Sequence, residues 1–131
     1  MDALLVLVVY TGAQAVVAAT RKRTIQQAAE RRFGAGASWA ALTNIGRPFT
    51  WEPIYASTDT VAGDDWRLPR HLGARQVQRA ITQTRDGQAM AQFARFLAAE
   101  VDTSCATIYL WDARYARGSH DGWAVVKVRV E

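Results

Sequence analysis

One cysteine, two histidines and three prolines in 131 residues remove several protein classes at once. Cys105 has no partner for an internal disulfide, so nothing here requires an oxidising compartment. It adjoins a strand-like run at residues 106–110, and a buried, inert thiol is expected. Neither His71 nor His120 sits in a paired zinc motif, and there is no Gly-rich phosphate loop or nucleophile elbow. His71 stands among basic residues and is expected to be a solvated surface side chain. Internal repeats and low-complexity tracts are also missing.

The composition that remains is globular: half the residues are hydrophobic and 21% are charged. Such a length suits one small core. Five tryptophans (Trp39, Trp51, Trp66, Trp111, Trp123) add apolar area, each with an indole N–H that seeks an acceptor. The formal charge of +4 invites a nucleic-acid reading. However, Arg21, Lys22, Arg23, Arg31 and Arg32 against Glu30 carry all of it, and the rest of the chain is neutral. With no nucleic-acid motif, no specific nucleic-acid partner is expected.

Residues 3–19 (ALLVLVVYTGAQAVVAA) contain no charge. As a helix they extend about 26 Å, close to the roughly 30 Å hydrocarbon layer. Arg21, Lys22 and Arg23 follow at once, the flank expected on the cytoplasmic side, and their long stems can snorkel. A cleaved signal peptide is disfavoured because Asp2 precedes the apolar run and the cations come after it. A buried helix of a soluble protein is a second alternative, and an interfacial helix would need a strongly charged face, which is missing. A membrane helix is favoured over all three. Tyr10, Thr11 and Gln14 form a polar stripe beside Gly12, which predicts contact with other membrane helices.

The expected organisation is a hydrophobic membrane helix with a basic flank over residues 1–23, then an α+β cytoplasmic domain over 24–131. Residues 24–33 continue helically with Ile25, Ala28, Ala29 and Phe33 on one side, and Gly34 and Gly36 end the helix. Residues 44–48 read as a linker or turn. Residues 50–57 read as a strand with Pro53 marking an edge, and 59–68 as its return around Gly63, Asp64 and Asp65. Helices are predicted over 73–83 and over 86–101. The second is capped by Asp86, with Met90, Phe93, Leu97 and Val101 as a core stripe. Residues 103–112 and 122–130 read as an antiparallel hairpin around a loop at 117–122. In the last strand Ala124, Val126, Val128 and Val130 alternate with Val125, Lys127 and Arg129. A small antiparallel sheet covered on one face by helices follows.

No side-chain constellation announces chemistry. Asp64, Asp65, Asp112, His120 and Asp121 are the richest acidic group. Asp112, His120 and Asp121 flank one hairpin and can in principle hold a divalent ion, but turn chemistry accounts for them equally. Asp112 with Arg114 suits an inward ion pair or a cap on backbone amides.

The ordered series Arg47 to Trp51 (RPFTW), residues 93–96 (FARF), residues 110–115 (LWDARY) and residues 123–128 (WAVVKV) resembles the C-terminal part of a bacterial family. This is the YdjM-like, or LexA-binding, family of inner-membrane proteins described as metal-dependent hydrolases. The resemblance implies an accessory domain on the cytoplasmic side of the inner membrane. It also implies a divalent metal bound elsewhere by histidines of upstream membrane helices. The family's His-Arg and Thr-His-Ser motifs do not occur here, so no catalytic or metal-binding residue carries over and no cofactor is expected in this chain. Lipid and further transmembrane helices, or a membrane subunit, are the implied partners, and the chain is expected to be a fragment or split subunit. A working surface of Arg47, Trp51, Asp112, Arg114 and Tyr115 is expected, exposed at strand ends. The alternative is a non-enzymatic membrane-tethered interaction module whose sheet edge at residues 51–55 adds a partner strand.

Overall fold

The computed structural model describes residues 2–44, 46–118 and 120–129, with the side chains of Pro48 and Phe49 left aside. The fold is α+β: an apolar N-terminal helix followed by antiparallel sheets and further helices. Two compact units are distinguished, Met1–Tyr55 and Ala56–Glu131.

The first unit is built on α1, Ala3–Phe33, one helix of 31 residues. It contains no proline, and it runs unbroken from the apolar segment through the basic triplet. Gly34 stops it at φ 87°, where its N–H returns to the Glu30 carbonyl at 2.8 Å. Only the C-terminal half packs. Ile25, Ala29 and Tyr55 form a buried cluster joined by Ala28, Phe33, Ala37, Trp39 and Ala41, the side expected from the spacing. The Arg32 guanidinium lies 4.8 Å from the centre of the Tyr55 ring. Among the described residues, α1 is the helix long and apolar enough to cross a membrane, with a mean hydropathy of 1.9 and none of that window buried.

Strand β1 (Ser38–Asn44) precedes β2 (Arg47–Ala56), its neighbour in the sheet. The linker or turn expected over 44–48 is narrower: Asn44, Arg47 and Pro48 belong to the strands, Gly46 is a turn residue, and Ile45 lies outside the described residues. Gly46 takes φ 85°, a turn conformation that glycine adopts without strain.

In the second unit the expected single return strand is two short ones. β3 (Thr60–Ala62) and β4 (Arg67–Pro69) pair antiparallel with Val61 opposite Leu68. Gly63 to Trp66 turn between them, and a Cβ on Gly63 would collide with the Trp66 indole. The Ser57 N–H donates to the Thr60 carbonyl at 2.8 Å, so the chain reverses directly after Ala56. The sheet order is β1-β2-β3-β4, so β2 has a neighbour on each side: it is not the edge that Pro53 suggested, and residues 51–55 offer no open edge for a partner strand.

Helices α2 (Arg75–Gln83) and α3 (Arg85–Phe93) meet at Thr84. Its hydroxyl donates to the Ala80 carbonyl at 2.7 Å and accepts the Gly87 N–H at 3.0 Å, closing one helix and capping the next. The cap is thus Thr84 rather than Asp86, which sits in the first turn where a carboxylate suits the helix dipole. The helix expected over 86–101 ends at Phe93, and β5 (Leu97–Asp102) takes the remainder. Its partners are β6 (Thr107–Asp112) and β7 (Val125–Arg129), in the order β5-β6-β7 and antiparallel throughout. Val77, Ala80 and Met90 from the helices pack on Leu97, Ala99, Ile108, Leu110 and Val128 of this sheet. The expected helical cover on one face is therefore present. In β7, Val128 is buried and Lys127 and Arg129 are exposed, as the alternation predicts, while Val130 lies outside the described residues.

Residues 103–106 form a turn instead of the start of a strand, and Cys105 is exposed, not buried. Its thiol points to the Asp102 carboxylate at 3.1 Å. The Ser104 hydroxyl first, and then the Cys105 thiol, hold the Asp102 carboxyl below its ordinary value of 3.8.

Candidate functional site

Asp112 ends β6 and is fully buried, not exposed as expected at a strand end. Its bonds hold the turn that follows and tie it to the segment before β5. Its Oδ2 accepts the Arg95 N–H at 3.0 Å, and its Oδ1 accepts the Arg114 N–H at 3.0 Å. Arg114 closes on Oδ2 through Nε at 2.9 Å and Nη2 at 2.6 Å. The Asp112 carbonyl accepts the N–H groups of Tyr115 and Ala116. Inward pairing and amide capping, the two roles suited to Asp112 and Arg114, are both present. The hydrogen bonds to Asp112 raise the Arg114 pKa, keeping the guanidinium charged.

That turn presents an aromatic surface. Tyr115 is 50% exposed, Phe93 49% and Trp123 74%. The Phe93 and Tyr115 rings stack at 6.4 Å, Trp123 meets Phe93 edge-on at 6.1 Å, and Tyr115 and Trp123 lie 4.8 Å apart. Arg114 lies 4.9 Å from the Tyr115 ring centre and 5.9 Å from that of Phe93. Beside them is a shallow apolar cavity of about 270 Å³, lined by Asp86, Ala89, Met90, Phe93, Trp123 and Val126. Phe93 is thus half out of the core in which its spacing placed it. Asp86 lies beside the apolar lining of this cavity, and Arg114 lies over the neighbouring Phe93 and Tyr115 rings.

Of the expected working surface, Asp112, Arg114 and Tyr115 come together, with Asp112 acting from beneath. Arg47 and Trp51 belong to the other compact unit. Arg47 is exposed, and Trp51 is half-buried, its indole N–H without a hydrogen-bond partner among the described residues. Phe93 and Trp123 are the members that sequence reading does not single out. Their one signal is that Trp123 directly precedes an alternating strand.

The grouping of Asp112, His120 and Asp121 around one ion does not form. Asp112 is committed to Arg114, His120 to Glu100 at 3.1 Å, and Asp121 to Lys127 at 3.3 Å. Among the described residues no group of three or more His, Cys, Asp or Glu side chains is placed to hold a metal. His71 is exposed, at φ 51°. No protein-family model, curated protein or solved structure matches this chain.

Proposed function

We propose that this chain is a membrane-tethered interaction module, anchored by residues 3–19 and engaging a membrane partner through Phe93, Arg114, Tyr115 and Trp123. The observation that carries this reading is the asymmetry of α1. Ile25 and Ala29 are 2% and 0% exposed, whereas Leu4 to Val9, Val16 and Val17 are 41–72% exposed. One continuous helix thus holds a folded unit at one end and leaves an uncharged, uncovered apolar cylinder at the other. Contiguous exposed apolar surface on that scale marks a membrane or protein contact.

The basic triplet Arg21, Lys22 and Arg23 supports insertion with the folded units on the cytoplasmic side of a bacterial inner membrane. The polar stripe gives less support for missing partner helices than its spacing promised. The Gln14 amide donates to the Tyr10 hydroxyl at 2.6 Å and the Thr11 hydroxyl to the Leu7 carbonyl at 2.7 Å, so these groups have partners within the helix. A narrower form of the reading makes the partner a metal-dependent membrane hydrolase, to which this chain is an accessory domain. It rests on the family resemblance alone.

The test is expression of the full chain in bacteria, with an alkaline-carbonate wash of the membranes and a mass measurement. Retention in the pellet at full length supports the anchor. Extraction into the wash, or a shortened exported product, overturns it. Co-purification with a multi-helix metalloprotein from solubilised membranes is the expected result of the narrower reading.

A further inference from the structure

The sheet β5-β6-β7 has two end strands, and they differ. Beyond β5, Arg70 closes the edge: its carbonyl accepts the Ala99 N–H at 2.9 Å, and its Nε donates to the Leu97 carbonyl at 2.8 Å. Beyond β7 no further strand follows among the described residues. The Asp112 N–H donates to the Ala124 carbonyl at 3.4 Å, continuing the register of β6 with β7. Ladder bonds alternate along an antiparallel pair, so the backbone groups of Val126 and Val128 also face β6. Those of Lys127 and Arg129 point outward, and no bond to them forms among the described residues. The side chains divide this edge into two faces. Val126 and Val128 pack on the helix side, where the apolar cavity spans from Val126 and Trp123 to Met90 and Phe93 of α3. Lys127 and Arg129 are exposed on the other face. Lys127 meets Asp121 at 3.3 Å, but the Asp121 side chain is 91% exposed and such a pair is weak.

We propose that the outer edge of β7 takes up an extended segment of a partner protein as an added strand, and that this segment alternates acidic with apolar residues. The inference rests on the reading above through Phe93 and Trp123, and it names the form of the partner there. The outward N–H and C=O groups of Lys127 and Arg129 supply the ladder bonds, which any sequence can make, so the alternate side chains carry the selectivity. On the helix face an apolar side chain enters the cavity and covers Val126 and the Trp123 indole. On the other face the segment's residues come opposite Lys127 and Arg129, where carboxylates form cross-strand pairs. An acidic residue of the segment replaces Asp121 on Lys127 at little cost. Asp86, exposed beside the cavity, repels a carboxylate on that side, so the charges fix which residues of the segment face which way. A second copy of this chain fits poorly, because pairing β7 with β7 sets Lys127 and Arg129 against the same cations.

The test uses the full chain in uncharged detergent micelles and a short capped peptide alternating glutamate and leucine, labelled for fluorescence anisotropy. Saturable binding is expected, and the Lys127 and Arg129 amides should gain hydrogen-exchange protection in the complex. The same peptide with lysine in place of each glutamate should bind about tenfold more weakly or worse. Arg129→Glu should weaken binding of the glutamate peptide about threefold to tenfold. Trp123→Ala should weaken it as well, and both side chains are exposed, so neither change disturbs the core. Absence of saturable binding, equal binding of the two peptides, or no added protection at Lys127 and Arg129 overturns the proposal. So does protection of those amides that rises with the concentration of the chain alone, which marks a second copy on the edge. None of these outcomes alters retention in carbonate-washed membranes, so failure here is distinct from failure of the anchor.

Discussion

At the scale of single residues, Asp112 shows how a carboxylate in a suggestive motif becomes structural. It is fully buried, and four N–H donors from Arg95 and Arg114 converge on it. A buried charge persists only when its lone pairs are taken up in this way. Asp112→Ala leaves those donors without their acceptor and should cost about 3 kcal/mol, whereas Asp112→Asn, which keeps one acceptor oxygen, should cost about half of that. Urea denaturation of the two variants checks the ordering. The adjacency of Asp112, Arg114 and Tyr115 was legible in the sequence because they are neighbours in the chain. The inward pairing of Asp112 with Arg114 was legible for the same reason, but the Arg95 amide that also binds it was not, since it arrives from seventeen residues earlier. Asp102 offers the complementary pH test. Its folded pKa is depressed, so its contribution is present above the ordinary carboxylate value of 3.8 and is lost as pH falls through the lower folded one. The Ser104 amide, 2.9 Å from Asp102 Oδ1, should lose exchange protection in that acid range. In Ser104→Ala the loss should come at a higher pH, because the hydroxyl that contributes most to the depression is gone.

At the scale of elements, the join between α2 and α3 and the boundary between α3 and β5 carry the argument. Thr84 serves both helices, so Thr84→Ala should cost about 1–2 kcal/mol and Thr84→Ser should recover most of it. Gly87 is helical, where alanine would ordinarily be favoured by about 1 kcal/mol. Here a Cβ would collide with the Ala80 carbonyl oxygen, so Gly87→Ala should destabilise the fold instead. Thermal melting of the three variants distinguishes the signs. The α3–β5 boundary shows why sequence periodicity misled. Leu97 and Val101 are four residues apart, a spacing shared by one helical turn and two strand repeats. Ala98 and Ala99 are both fully buried, so this strand is covered on both faces and lacks the polar alternation that would have marked it. The last strand, with Lys127 and Arg129 exposed, kept that alternation and was legible. The aromatic surface drew on both outcomes. Trp123 was readable beside its strand, while Phe93 was assigned to the core of a helix that in fact ends there.

At the scale of the whole molecule, the proposed membrane anchoring rests on the apolar half of α1. A soluble protein rarely leaves a helix of this hydropathy uncovered, because each exposed leucine or valine forgoes about 1.5–3 kcal/mol of burial. Lipid around residues 3–19 would remove that deficit and leave the packed C-terminal turns as they are. Val9, 62% exposed and near the middle of residues 3–19, separates the two environments. In water an exposed Val→Asp change lies within about 0.5 kcal/mol of neutral. At the centre of a bilayer the same carboxylate opposes insertion by about 2.5–3.5 kcal/mol, roughly a hundredfold in the inserted fraction. Val9→Asp should therefore shift the chain from the carbonate-resistant pellet towards the extracted fraction. It should leave the cluster of Ile25, Ala29 and Tyr55 intact, as read by Tyr55 protection and urea stability in micelles. If the variant stays in the pellet like the parent, α1 is not held by lipid, and its uncovered face belongs against protein.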